Sequence, residues 1–438
     1  MEFFPALYFG LLLLFNILRK RRLFSVANLL LSLYSLGSVC FIILYNRVHF
    51  NLYADASIYY LLALSLFIIP HLYFDENKIV FKKTDLSSPK IRIAFYVFFI
   101  SQIICILYLL PVVFQSFSGN ILENRLMVNR GEWGTGGYMA LFISLLGSAW
   151  PLSFTMFFFN LANGSRLSIC IMFLFCSTFG VVYGLAHVGR SGVTYWVMCL
   201  FFNYLFFRPV IRYRIQEYRA VFRKWRISKR LTIFASLIFF VIFVLITVGR
   251  NLDDHSVNDS HSGIFFHFVT YFGQTYGNFN DYYKKNWLAS EIYYGKYNGS
   301  LFCGILEQFN IIKPYNHNEV LSEVLFHHYR SRLQPGTFNT LLKEISIDFG
   351  LWNSFIIYIA YFLICIRMIL KRKGKWDLSQ ILLYSFAFSV PYNGYFFFSY
   401  GSSLSNATAI YYIFGYFLAR RYLKVQFVEG KQKNFAFN

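Results

Sequence analysis

Acidic residues are scarce in this chain. It has 20 Asp and Glu among 438 residues, against 41 Lys and Arg, and charged residues of both signs make up only 14%. A soluble domain carries about 25%, so an ordinary water-facing surface is excluded. The motifs of nucleotide and hydrolase chemistry are also missing: no Walker loop, no GxSxG elbow, no HExxH pair and no dinucleotide fingerprint. Energy must therefore come from the substrate or from a gradient. The seven cysteines form no CxxC pair and no His/Cys ligand spacing. Six (Cys40, Cys105, Cys170, Cys176, Cys199, Cys365) lie in apolar runs and only Cys303 lies in a polar loop. Neither a disulfide framework nor a zinc site is indicated, and no metal or other cofactor is expected. The amino end lacks a basic n-region and a small-residue cleavage site, so "FFPALYFGLLLLFNIL" (3–18), followed by "RKRR", reads as a retained helix.

What is present is apolar and aromatic. Hydrophobic residues make up 57%, and aromatics 22%, with 54 Phe and 34 Tyr. Apolar runs approach or exceed the roughly 20 residues that cross a bilayer. Eleven spans are expected at 3–18, 23–45, 56–74, 92–115, 137–161, 167–187, 192–208, 231–249, 346–368, 378–398 and 403–420. With the amino end outside, 29 of the 41 Lys and Arg fall in the inner segments, and every second loop is basic, as the positive-inside rule requires. The expected fold class is an all-α polytopic membrane protein of about eleven transmembrane helices (range about 10–13), with one long outer loop. Its parts are 1–249 (eight spans), 250–345 (the loop) and 346–438 (three spans and an inner tail). The net charge of +21 and the basic stretch 208–230 read as anchoring over anionic headgroups, not as a nucleic-acid site.

The outer side holds the unusual residues. The long loop carries six of the nine histidines, and its segments 263–276 and 318–330 are apolar enough to lie as short helices on the membrane surface. Topology disfavours outer arginine, so Arg125, Arg130, Arg190, Arg250, Arg330 and Arg332 invite a reason. The guanidinium fork suits phosphate oxygens. Arg190 sits in "AHVGRSGVTYW" between Gly189 and Gly192; the bland alternative is a snorkelling interfacial Arg. "VGRNLDDHSVNDSHSG" gathers Arg250, Asp253, Asp254, His255, Asp259 and His261, an acid/base cluster or a hydrophilic loop entrance. "FVTYFGQTYGNFNDYYKKNW" interleaves Tyr271 and its aromatic neighbours with Gln274, Asn278, Asn280 and Asp281. Aromatic faces beside amides and carboxylates suit sugar rings, and equally an interfacial aromatic belt.

The stretch "PGTFNTLLKEISIDFGLW" (335–352) enters the ninth expected span with charges in its first turns. Lys343 and Glu344 are expected at headgroup level. Asp348 is expected one turn deeper, on the side of Glu344, facing a wet cleft.

Three stretches together resemble the Wzy-type O-antigen or oligosaccharide repeat-unit polymerases: "HVGRSGVTYW", "VTYFGQTYGNFNDYY" and "PGTFNTLLKEISIDFGLWNSF", the last with Thr337 ahead of Asp-Phe-Gly. The resemblance in architecture covers nearly the whole chain. The motifs cover about a tenth of it. Some members carry an Arg, ten residues, then Gly in outer loops; Arg125 to Gly136 fits that spacing, while Arg190 and Arg250 do not. The resemblance implies a bacterial inner-membrane glycosyltransferase, similar to the polytopic GT-C-like lipid-linked enzymes. It would act at the periplasmic face on undecaprenyl-diphosphate-linked oligosaccharide, amid membrane lipid, with a polysaccharide chain-length regulator as a possible partner.

That chemistry needs a grip on the leaving diphosphate, for which Arg190, Arg250 and Arg125 are candidates. It also needs a group at the acceptor hydroxyl, for which Asp281, His255 or Asp348 are candidates. Arg130, Tyr271, Asn278, Arg330, Arg332 and Thr337 complete the expected substrate contacts. An O-antigen ligase shares the architecture and donor. A flippase for the same units is the rival of another class, and the sequence shows no related halves of the kind many transporters carry.

Overall fold

The computed structural model describes residues 1–46, 50–78, 80–81, 89–118, 127, 137–187, 190–222, 264–284, 292–314, 316–330, 340–372, 375–395 and 403–422. They form an α-helical bundle with one two-residue strand pair. In chain order the helices are α1 Phe4–Lys20, α2 Val26–Tyr45, α3 Ala54–Leu72, α4 Pro89–Ser116, α5 Gly137–Gly147, α6 Trp150–Asn163, α7 Leu167–Ser177, α8 Phe179–Ala186 and α9 Arg190–Phe222. After these come α10 Ile264–Lys284, α11 Ser300–Gln308, α12 His317–Arg330, α13 Leu341–Phe349, α14 Ser354–Arg372, α15 Leu378–Asn393 and α16 Ser403–Tyr422. Seven helical segments among the described residues are long and apolar enough to cross a membrane: Val26–Tyr45, Ala54–Leu72, Pro89–Ser116, Gly137–Asn163, Leu167–Ala186, Gly192–Ile211 and Ser354–Lys371. The architecture is that of an α-helical membrane protein. The expected span at 231–249 lies outside the described residues.

The bundle has two chemically distinct ends. At the basic end, Arg21 in the left-handed region stops α1, and Ser25 caps α2 by accepting from the Asn28 amide. Asn16 donates to the Asn28 side-chain oxygen across α1 and α2 at 2.6 Å, buried. Arg19 donates to the Leu72 carbonyl, Lys20 donates to that of Phe74 at 2.5 Å, and Arg22 pairs with Asp75 at 3.3 Å. Strand β1 (Val80–Phe81) lies parallel to β2 (Lys375–Trp376), joining two loops distant in sequence. Asp377 then opens α15 with a full capping box to Gln380. A buried aromatic stack of Phe74, Phe206, Tyr384 and Trp376 backs this end.

At the opposite end, Ser116 donates to the Ala186 carbonyl at 2.8 Å, and the Leu341 amide donates to Gly394 at 2.9 Å.

Three expectations change. The stretch from Arg208 is not wholly loop, because α9 continues through Pro209 to Phe222. Segment 263–276 is not a surface helix over its described part. It belongs to α10, whose buried side crosses α2 and then leans on the start of α3. A Cβ at Gly273 would stand 2.8 Å from the Cys40 carbonyl, so close backbone approach fixes that crossing. Further along, Tyr276 meets Ser57, and Asn280 accepts from the Tyr53 amide at 3.1 Å. The expected span at 346–368 is two helices, α13 and α14. Gly350, at φ 73°, ends α13, a backbone conformation that glycine adopts without strain.

Candidate functional site

The candidate site is built from α10, the turn 292–298, α12 and α13. Thr340 caps α13, its hydroxyl accepting from the Lys343 amide, and Tyr59 holds the chain after the helix by donating to the Leu351 carbonyl at 2.7 Å. With both ends fixed, the nine residues of α13 are almost wholly buried. Asp348 in its last turn is 0% exposed. Its carboxylate accepts from the Tyr297 amide at 3.0 Å, from the Asn298 amide at 2.9 Å and from the Asn298 side chain at 2.8 Å. The same Asn298 amide group donates to the Glu344 carbonyl at 2.6 Å, and the Tyr294 amide to the Asp348 carbonyl at 2.7 Å. Asp348 and Glu344 therefore share a side, as expected, but that side meets the turn 294–298. Asp348 acts as a strut between chain segments fifty residues apart.

Burial pushes the Asp348 carboxyl above its ordinary range, against the pull of the donated hydrogen bonds. The Tyr297 phenol is also raised, by burial first and then by the Glu344 and Asp348 carboxylates.

Lys343 departs most from expectation. It is 4% exposed rather than at headgroup level, with its ammonium 5.6 Å over the Tyr282 ring. Burial draws its pKa down to about 8, with Glu344 opposing the shift. Tyr282, Tyr293, Val324 and Ile347 form the apolar floor, so α12 packs on the site through Val324 and Val320. Segment 318–330 is thus, in its described part, a wall of this cluster and not a helix lying free on a membrane.

Along α10, Gln274, Asn278 and Asp281 are half-buried, at intervals that keep them on one flank, and Tyr271 packs edge-on to Phe272 beside them. Tyr282 is adjacent to this flank and faces Lys343. The structure thus brings Asp281, Asn278, Tyr271 and Asp348 to neighbouring elements of one end of the bundle. Arg190 opens α9, at the end where α8 stops; its side chain lies outside the described residues. Gly192 beside it is explained by packing, since a Cβ there would stand 2.6 Å from the Gly180 carbonyl. Arg330 is the last residue of α12, with its side chain outside the described residues. Arg125, Arg130, Arg250, His255, Arg332 and Thr337 lie outside them altogether.

Sequence reasoning missed Lys343, Asn298 and Tyr282 as members. For Lys343 no signal existed, because a lysine beside Glu344, Ser346 and Asp348 on the helix LLKEISIDF reads as part of a solvated face. Asn298 had none, because its role depends on pairing across a long loop. Among the described residues no group of His, Cys, Asp or Glu is arranged to hold a metal ion.

This chemistry belongs to an α-helical membrane protein with a buried, carboxylate-bearing polar cluster at the end opposite its basic loops. No family model, no curated protein and no solved structure matches the chain.

Proposed function

We propose that the chain is a polysaccharide polymerase of the Wzy type, a glycosyltransferase of the bacterial inner membrane working on undecaprenyl-diphosphate-linked repeat units at the periplasmic face. In this reading it has about eleven spans, with the amino end out and the carboxyl end in. The long loop between 250 and 345 supplies α10 to α12 to the site. The observation that carries the reading is the wall formed by α10, the turn 294–298 and α13. It offers an amide-and-carboxylate flank (Asn278, Asp281) beside aromatic rings and a buried cation (Lys343), at the end opposite the basic loops. Sugar rings suit such a surface. A glycosyl diphosphate is already activated, which agrees with the absence of nucleotide motifs.

In the reaction, the bond between the anomeric carbon of the growing chain and its diphosphate breaks. A bond forms from that carbon to a hydroxyl oxygen at the non-reducing end of a fresh repeat unit. The hydroxyl proton passes to a base, and undecaprenyl diphosphate leaves. Asp281 fits the base best, because it is half-buried on the flank of α10 whereas Asp348 is 0% exposed; Asp348 is a positioning residue. Arg190, Arg250 and Arg125 would hold the diphosphate.

The test is the surface-polysaccharide ladder of cells that depend on this protein. Asp281→Asn at normal protein level should collapse the ladder to a single capped repeat, and an unchanged ladder removes Asp281 as the base. Loss of the cap itself would indicate an O-antigen ligase instead.

One observation favours a lipid-linked oligosaccharide flippase. Two neighbouring helical segments are interrupted, α5/α6 at Ser148–Ala149 and α7/α8 at Thr178, and Trp150 and Phe179 at those breaks pack against Gly180 and Gly147. Broken helices are a habit of transporters. Yet Gln102 donates to the Leu146 carbonyl at 2.9 Å and Thr408 donates to the Ser148 carbonyl at 2.8 Å, so carbonyls freed at the first break are paired within the protein. If the flippase reading holds, vesicles containing the pure protein will move lipid-linked units between leaflets without changing their length.

A further inference from the structure

Helix α11 is amphipathic in the wrong sense for a helix in water. Phe302, Ile305, Leu306 and Phe309 recur at helical spacing and form one stripe, and all four are exposed, as is Ile311 just beyond. The opposite face, Ser300, Gly304 and Glu307, is the partly covered one. A surface helix that faced water would turn its apolar stripe inward. Here the apolar stripe is the more exposed side, and no residue of the helix is fully buried.

Three further facts indicate what covers the stripe. Residues 297–312 carry a single charge, Glu307, and are bracketed by exposed Lys296 and Lys313. That is the arrangement in which lysines reach anionic headgroups while the residues between them enter the acyl boundary. The helix is also moored to α16, which the sequence reading expects as a span. The Leu301 amide donates to the Asn406 side chain at 3.3 Å, and Asn406 donates to the Asn298 carbonyl at 3.0 Å, at the start of α16. Farther along, α16 also exposes apolar side chains, at Ile413, Phe414, Phe417 and Leu418.

We propose that α11 is an interfacial helix lying in the outer leaflet of the bilayer, its Phe302–Phe309 stripe in phospholipid acyl chains and Lys296 and Lys313 at the headgroups. The role of a membrane-surface element in the long loop thus belongs to α11 and not to segments 263–276 or 318–330. The inference goes beyond the proposed reaction and does not depend on it. Through Asn298 the moored helix also connects directly to the Asp348 strut, so leaflet and site share one set of hydrogen bonds.

The test uses the full chain in vesicles of phosphatidylethanolamine and phosphatidylglycerol. Six of the seven cysteines are buried, and Cys303 is the exception. In a Cys303→Ser background, nitroxide labels go singly on Phe302→Cys, Ile305→Cys and Phe309→Cys, with exposed Asn316→Cys as the aqueous reference. Collision with oxygen, which concentrates in lipid, is compared with collision with a water-soluble nickel chelate. The ratio should be several-fold higher at the three stripe positions than at Asn316. Free access of the chelate to the stripe overturns the proposal. So does protection from both reagents, which would indicate a second copy or another protein. Labels at three separate positions keep the reading independent of any one variant that fails to fold.

Discussion

The two ends of the bundle carry charge in opposite ways. At the basic end, Arg19, Lys20 and Arg22 reach backbone carbonyls or Asp75 from positions partly open to solvent. At the other end, Lys343 and Asp348 are 4% and 0% exposed. Charge at the first end is inexpensive, because water still reaches it. Charge at the second is costly, and it persists because the local fold was built around it: three donors on one carboxylate, and an aromatic ring under one ammonium. A buried ionisable group in a membrane protein is by default a functional-site hypothesis. The contrast therefore separates charge held near solvent from charge that the surrounding fold must satisfy.

The sharpest way to break the contrast is to remove the strut. Asp348→Ala leaves the Tyr297 amide and both donors of Asn298 without their acceptor in a buried place. A loss of about 3–4 kcal/mol is expected, read as a lowered unfolding midpoint in detergent. Asp348→Asn keeps the shape and one accepting oxygen and should lose less. Equal losses in the two variants would mean that packing, not hydrogen bonding, is what the carboxylate supplies.

Lys343 gives the next effect, and its sign is informative. Its folded pKa, about 8, lies below the ordinary 10.5. The fold therefore prefers the neutral amine, and the stability this brings is present above pH 10.5 and lost as pH falls through about 8. The penalty at neutral pH is on the order of 3 kcal/mol. Lys343→Met should raise the unfolding midpoint at pH 7 and flatten the rise in stability between pH 8 and 10. If the cation serves a diphosphate, the same variant loses polymer formation, and wild-type activity declines as pH rises through about 8. A variant both more stable and fully active would make Lys343 a relic of packing.

The helices of the bundle were largely legible in the sequence, and the site only partly so. Spans expected at 23–45, 56–74 and 92–115 correspond to α2, α3 and α4 within a few residues, because long apolar runs leave little choice of structure. What was not legible depends on single backbone angles and distant pairings. The split between α13 and α14 hangs on Gly350. The burial of α10 hangs on Gly273 meeting Cys40 and on Asn280 meeting Tyr53. Asp348 stood out by its charge alone, yet the group that occupies it, Asn298, carries no local mark of that role.

Gly273→Ala sharpens the same point at a smaller scale. The added carbon would meet backbone of Cys40 and Phe41, which cannot swing aside as a side chain can. A cost of about 1–3 kcal/mol is expected, with α10 displaced from α2. Hydrogen exchange should then rise at the Asn280–Tyr53 contact and remain unchanged at the capping box of Asp377. An equal rise at both ends would show that the bundle yields as one unit and that its two ends are not independent.

The smallest effect belongs to the basic end. Arg22 and Asp75 are 38% and 27% exposed in their side chains, so their 3.3 Å pair is screened by water and salt. Arg22→Ala should cost less than about 1 kcal/mol, and that little should vanish in high salt. Its consequence, if orientation is what these charges supply, lies elsewhere. Removing Arg22 alone leaves Arg19, Lys20 and Arg21, and the topology stands. Removing all four basic residues should produce a fraction of molecules with the first helix reversed and the Asn16–Asn28 bond between α1 and α2 lost, read by protease access to an amino-terminal tag. A stability loss from Arg22→Ala as large as that from Asp348→Ala would erase the distinction between charge held near solvent and charge that the surrounding fold must satisfy.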